Sequence, residues 1–309
     1  MSRSIRFIPA GSTVEVTSRT LEGRLLLTPS PELNTIIEGC LAFSGEVYQV
    51  DIHAYAFLSN HFHLLLTVRD AKQLAEFMGH FKSKLAREVN TLRGRRQALW
   101  GNRYAVVVVS GEEAAQVGRL RYILSHGCKE GLVARPQDWP GVHASRTLAH
   151  YPQAALRGVW IDRTAGWRNL SENTAATRKV ELALKPLPCW QALDASQVQA
   201  RIGELLTEIE AETRQMHRRN KTRPVGRETI LRQNPASLPR SMKRSPLPRF
   251  HAVAKAVRQG LESSLRAFLL AYRQAADRLR RGDLRVEFPP GSFPPTLPFV
   301  GLPARASPG

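Results

Sequence analysis

Two histidines separated by one residue, His61 and His63, stand in the run Ser59-Asn60-His61-Phe62-His63-Leu64-Leu65-Leu66. On a strand, residues two apart leave the same face, so both imidazoles would project together while Phe62 and Leu64 point the other way. Two adjacent imidazoles form half of a divalent-metal site. The plain alternative is a pair of surface histidines beside a turn. A second group lies in Arg119-Leu120-Arg121-Tyr122-Ile123-Leu124-Ser125-His126. Tyr122 and His126 are four apart, which puts a phenol and a third imidazole on one helical face. A tyrosine can attack phosphorus covalently when a metal and cations draw charge from the phosphate. Tyr122 could equally be a core residue, and His126 a helix-terminal histidine meeting the dipole ahead of Gly127. Tyr104 and Tyr55 are the competing nucleophiles. Both fall on or beside strands, where a phenol is fixed against the sheet. Asp51 and Asp70 read as loop and capping residues rather than ligands.

The elements that must position these groups alternate. Residues 14–19 alternate apolar and polar and suit a half-buried strand. Ser30-Pro31 opens a helix with a cap residue followed by proline at the first helical position. That helix buries Leu33, Ile36, Ile37, Cys40 and Leu41 and is expected to stop near Gly45. Residues 47–58 and 62–68 read as two strands joined at Ser59-Asn60, a hairpin. Between 71 and 92, Leu74, Phe77, Met78, Phe81, Leu85, Val89 and Leu92 step by three and four, an amphipathic helix. Residues 103–109 contain four consecutive valines and make a buried strand, and 111–128 make a last helix. The order β-α-β-β-α-β plus a helix predicts an α+β fold: a ferredoxin-like antiparallel sheet with helices on one face.

The chain has 309 residues, 42% of them apolar, which is enough for a packed core and room for about two domains. Lys and Arg number 45 against 26 acids, a net charge of +19 that points to a polyanionic partner. No run reaches the ~18 apolar residues of a spanning helix, so no membrane association is expected. Cys40, Cys128 and Cys189 form no disulfide or zinc spacing and read as free thiols in a reducing compartment. The excess charge is uneven. From residue 214 to 258 there are thirteen Lys/Arg and one acid, Glu228, with five prolines. The expected organisation is therefore a compact domain over 1–150 and a basic, mostly helical domain over 151–309 with a Pro-rich tail. Helices are expected at 196–219 and 261–281, with a turn or two at 226–232. The tail 288–298 is expected to run extended, with its Phe residues on a neighbour.

Taken in order, the Asn-His-Phe-His-Leu-Leu-Leu strand, the amphipathic helix, Trp100-Gly-Asn-Arg-Tyr104, the valine strand, Arg-Tyr122-Ile and Gly131-Leu-Val-Ala-Arg-Pro-Gln-Asp-Trp-Pro140 resemble the single-tyrosine HUH transposases. The REP-associated tyrosine transposase branch is the most similar. The resemblance covers about residues 8–145. It implies that His61 and His63 are metal ligands and that Tyr122 is the nucleophile. It puts the third ligand one turn later, at His126, where the family usually carries Asn or Gln. It implies a divalent cofactor, Mg²⁺ or Mn²⁺, and cleavage and rejoining of single-stranded DNA through a 5′-phosphotyrosine at hairpin-bearing ends. A cytoplasmic, prokaryotic-type, nucleoid-associated protein is expected, and a homodimer is open to it.

The basic second half suggests contacts to the DNA backbone by Arg218, Arg219, Lys221, Arg223, Arg227, Lys243 and Arg244. Two rivals stand beside the transposase reading. One is a domesticated relative that binds folded single-stranded DNA without cutting. The other is a relaxase or replication initiator, which usually carries a different motif order or two tyrosines.

Overall fold

The computed structural model describes residues 5–163, 176–239 and 248–295. Strand β1 (Thr13–Arg19) leads to helix α1 (Pro31–Tyr48). Ser30 caps α1 by accepting from the Leu33 N–H at 3.2 Å, and Pro31 takes the first helical position. The expected stop at Gly45 is not a stop. Gly45 packs inside the helix, where a Cβ would lie 2.4 Å from the Leu182 side chain. The helix runs one turn further, to a left-handed Gln49 whose N–H returns to the Gly45 carbonyl. Strand β2 therefore begins at Asp51 rather than at 47.

β2 (Asp51–Leu58) and β3 (His61–Thr67) form the predicted hairpin across Ser59-Asn60. Helix α2 spans Ala71–Leu92, capped by Asp70, which accepts from the Gln73 N–H at 2.7 Å. β4 (Ala105–Val109) and α3 (Glu113–Leu124) follow. The strand order is β2-β3-β1-β4, all antiparallel, which is the ferredoxin-like order. A two-residue strand from the second half, β7 (Phe250–His251), joins the β4 edge in parallel. Helices α1 and α2 cover the face that carries Val14, Val16, Phe62 and Leu64; α3 crosses the opposite face. The fold is thus the expected α+β type.

Beyond it come the short helix α4 (Ala144–Leu148), the hairpin β5 (Ala155–Asp162) and β6 (Ala176–Ala183), α5 (Ala195–Asn220), α6 (Arg227–Leu231) and α7 (Lys255–Arg280). The long helices match the sequence reading; the hairpin was not anticipated there. It lies on α1 through a backbone approach only glycine permits. A Cβ on Gly39 would sit 2.0 Å from the Val159 carbonyl oxygen, and one on Gly158 would sit 2.2 Å from the Gly39 nitrogen. Residues on both sides of position 150 share one buried core. Asp194 and Gln197 close a capping box on α5, with bonds of 2.9 and 3.0 Å. Phe288 of the tail rests on Tyr272 of α7, with ring centroids 5.3 Å apart, while residues 296–309 lie outside the described chain. Cys40, Cys128 and Cys189 are free thiols. No helix among the described residues is long and apolar enough to cross a membrane.

Gly39→Ala should push the β5–β6 hairpin off α1. An overpacked close contact of this kind costs about 1–3 kcal/mol, readable as a lower midpoint in urea with an unchanged slope. Gly203→Ala, where a Cβ meets no atom, is the control and should not destabilise.

Candidate metal centre and nucleophile

The period of β3 places His61 and His63 on the α3 face, while Phe62 turns into the α2 side against Phe81 and Trp100. Their neighbours across the ladder are Arg19 and Thr17 on β1, and Leu58 and Ala56 on β2. The small side chains of Ala54 and Ala56 leave room for α3 to lie close over β2. α3 ends at Leu124, so His126 sits in the turn beyond it rather than inside a helix reaching 128. Gly127, at φ +89, makes that turn. His126 still comes back to Tyr122, with ring centroids 4.8 Å apart.

The structure brings His61, His63 and His126 together. One ring nitrogen from each lies within 4.8 Å of the others, and the His63 and His126 rings are 4.0 Å apart. Each Nδ1 has a hydrogen-bond partner. His61 Nδ1 meets Asn60 Oδ1 at 2.6 Å, His63 Nδ1 meets Glu15 Oε1 at 2.7 Å, and His126 Nδ1 meets the Tyr122 carbonyl at 2.8 Å. All three partners are acceptors, so each Nδ1 carries the proton and each Nε2 keeps a free lone pair. This is the outer-layer arrangement that fixes metal-binding imidazoles. Burial, with the neighbouring His63 and Lys129, pulls the protonation of His61 and His126 to well below the ordinary imidazole pKa. Both rings are therefore neutral at neutral pH, as ligands must be. Metal–nitrogen bonds of about 2.1 Å need donors somewhat closer than 4.8 Å, so modest ring rotations close the site. The donor set fits a divalent ion.

Glu15 was missed by the sequence reading. It is 1% exposed, accepts from His63, and pairs through its other oxygen with Arg119 Nη1 at 2.9 Å. Burial works against its charge, yet the bond to His63 and the Arg119 and Lys129 charges win and hold its carboxyl pKa below the usual carboxylate value. The available signal was parity: Glu15 and Thr17 share one face of β1, and Thr17 Oγ1 also lies 3.2 Å from His63 Nδ1.

Tyr122 is 38% exposed beside the cluster, its ring 5.8 Å from that of His63. Burial first, and then the Glu15 charge, raise its hydroxyl above the ordinary phenol value, so it is protonated at rest. Lys129, also missed, holds its ammonium 3.3 Å above the centre of the Tyr122 ring. Burial pulls that lysine down to about 8. The arrangement offers three imidazoles, a phenol beside them and a cation against it. Tyr55 is buried, hydrogen-bonded to Thr147 Oγ1 at 2.6 Å, and Tyr104 is stacked under Arg6; neither joins the cluster. Asp70 is the α2 cap and Asp51 opens β2.

The second half braces this site. Arg121, next to Tyr122, pairs with Glu208 and Glu212 of α5. The Val225 and Gly226 N–H groups donate to the Gly131 and Leu132 carbonyls, at 3.0 and 2.9 Å, just beyond Lys129. That segment carries Arg218, Arg219, Lys221, Arg223 and Arg227, all exposed and none ion-paired among the described residues. Lys243 and Arg244 lie outside the described residues.

Residues 30–126 match the family described as Transposase IS200 like, a span that opens on the cap of α1 and ends on His126. Among solved structures, a REP-associated tyrosine transposase bound to a REP hairpin is 20% identical over 50% of this chain and 90% of that one, with a TM-score of 0.38. A candidate transposase from Deinococcus radiodurans R1 is 16% identical over 40% of this chain and 95% of that one, with a TM-score of 0.28. No curated protein matches.

Glu15→Gln keeps the shape and removes the charge behind His63. Loss of such an outer partner lowers metal affinity about 10–100-fold. Calorimetric titration with Mn²⁺ checks it, and unchanged affinity would remove Glu15 from the site.

Proposed function

We propose that this chain, whose residues 30–126 are of the IS200-like transposase family, cleaves and rejoins single-stranded DNA at hairpin-bearing ends. The observation that carries the reading is Tyr122 standing against a cluster of three imidazoles, one ring nitrogen of each within 4.8 Å of the others. A divalent ion of the Mg²⁺ or Mn²⁺ class, held by His61, His63 and His126, supplies charge neutralisation at the scissile phosphate. Tyr122 Oη attacks phosphorus as its proton leaves. The bond to the 3′ oxygen breaks, that oxygen takes up a proton, and a 5′-phosphotyrosine remains. The 3′-hydroxyl of a second strand reverses the step, so no outside energy source is needed. Because the phenol is protonated at rest, its proton must be lost as the bond to phosphorus forms. Lys129, above the ring, neutralises the negative charge that the loss leaves.

The same reading gives Arg218, Arg219, Lys221, Arg223 and Arg227, with Lys243 and Arg244, to the DNA backbone. The first five lie on the segment pinned to the loop after His126, exposed and without acidic partners among the described residues. Replacing Arg218, Lys221 and Arg223 together by Gln should reduce the slope of log affinity against log salt by about 2, at ~0.7 per phosphate of a single strand.

The decisive test is covalent. Incubated with single-stranded hairpin oligonucleotides and Mn²⁺, the wild type should give a protein–DNA adduct that survives a denaturing gel. Tyr122→Phe should abolish the adduct and leave DNA affinity nearly unchanged. An adduct that persists in Tyr122→Phe moves the nucleophile elsewhere, with Tyr104 next. DNA binding with no adduct in the wild type, under either Mg²⁺ or Mn²⁺, establishes the non-cutting relative instead.

A further inference from the structure

On the opposite face of the sheet, at the β4–β7 edge, a cleft of about 280 Å³ opens between the chain around Arg6, the start of β4 at Tyr104, and Arg249. Its chemistry is unusual for a packing defect. The Arg6 guanidinium lies 3.7 Å from the centre of the Tyr104 ring. Next to them, Lys82 of α2 holds its ammonium 5.7 Å from the centre of the same ring and 5.1 Å from that of Trp100. Arg249 is exposed on the rim. Among the described residues none of Arg6, Lys82 and Arg249 has an ion-pair partner. The sequence places no acid in 1–4 or 240–247, the stretches that lead into Arg6 and Arg249.

These cations are held together against their own repulsion. Burial, with the Arg103 charge beside it, brings Arg6 down to about 10; burial, with the Arg6 charge, brings Lys82 down to about 8. Clustered like charges without counter-charge raise the folded state's free energy unless an anion enters. Arg6 donates to the Tyr104 carbonyl, so it also serves as a staple for the strand end. Lys82 in turn donates to the Asn102 carbonyl at 3.3 Å, and neither bond supplies a counter-charge or gives an account of Arg249.

The position of the cleft fits a long anionic ligand. Trp100 bridges Thr20 at the end of β1, and Thr20 in turn bonds the Asn60 carbonyl beside His61. Two strand spacings, about 10 Å, separate the Trp100 backbone from the hairpin turn that precedes the histidines. We propose that this cleft is a second contact for single-stranded DNA. It takes one backbone phosphate between Arg6 and Lys82, a neighbouring phosphate at Arg249, and a base stacked on the Arg6–Tyr104 pair. The proposal rests on the single-stranded DNA substrate of the preceding section and reaches beyond its catalytic site.

The test uses the full chain and a labelled single-stranded oligonucleotide of mixed sequence, followed by fluorescence anisotropy over a salt series. Lys82→Gln with Arg249→Gln should lower the slope of log affinity against log salt by about 1.4, two contacts at ~0.7 each. Adduct yield at saturating DNA should stay at the wild-type level. Arg266→Gln with Arg273→Gln, on the exposed side of α7, should leave the slope unchanged. A wild-type slope in the Lys82/Arg249 variant overturns the proposal. If that variant fails to fold, photocross-linking of wild type with an iodouracil-substituted oligonucleotide decides. Cross-links within 100–104 support the cleft, and their absence rejects it. Wild type that binds without forming an adduct sinks the cutting reading and leaves the slope test standing. An adduct with an unchanged slope sinks the cleft alone.

Discussion

A buried carboxylate holds the site together. Glu15, on β1, binds His63 with one oxygen and Arg119 with the other, so it ties the sheet to the helix above it. Removing Arg119 would leave the carboxylate without a counter-charge in the interior, and an uncompensated buried charge is costly. The pairing therefore fixes how α3 sits over β3. It does so from Arg119, three positions before Tyr122 and seven before His126. The orientation of His63, the approach of Tyr122 and the turn that returns His126 all follow from that one contact.

The contact acts within a frame that the second half of the chain completes. α3 has a narrow footprint on β2 and β3, and its outer side would otherwise be free to tilt. α5 closes that side through Glu208 and Glu212 on Arg121, and through Arg201 on Glu113. The residues after α5 then bond the loop that carries Lys129. Ser59 reaches Gln233 at 2.8 Å, so the turn before His61 is held from the same direction. A nucleophile on a helix must keep its place to within tenths of an ångström to be useful. Here that placing depends on chain 79 residues or more away in sequence from Tyr122.

This explains what was legible in the sequence and what was not. The His61–His63 parity follows from strand geometry alone, and α2 was readable because its apolar step and Asp70 cap are both local. The Tyr122–His126 proximity survived even though the helix ends between them, because a turn also brings back a residue four positions on. The α1 terminus was misread because Gly45 looks like a cap but is small for packing against Leu182, a tertiary cause. The β5–β6 hairpin needs α1 as its floor and shows little on its own. Glu15 is 48 residues from His63, and no local rule joins them. Lys129 lies past a glycine turn, where helical spacing gives no guidance.

On the proposed function, the electrostatics of the resting site couple the binding of substrate and metal. Burial keeps His61 and His126 neutral, Glu15 is paired with Arg119, and Lys129, 3.8 Å from Glu130, stands beside the phenol. A divalent ion at the imidazoles would stand close to that ammonium and repel it. Lys129, already pulled down to about 8 by burial, would bear the cost. A phosphodiester between them reverses the balance, since its charge attracts both at once. Metal affinity and DNA affinity should then be coupled, each ligand strengthening the other by the same factor. The coupling comes from Lys129. Lys129→Met should tighten metal binding in the absence of DNA and shrink the gain in metal affinity that DNA brings. Calorimetric titrations of Mn²⁺ into Tyr122→Phe protein, with and without a single-stranded oligonucleotide, measure both effects without interference from cleavage. Equal coupling in the two backgrounds would place Lys129 outside the metal–phosphate interaction.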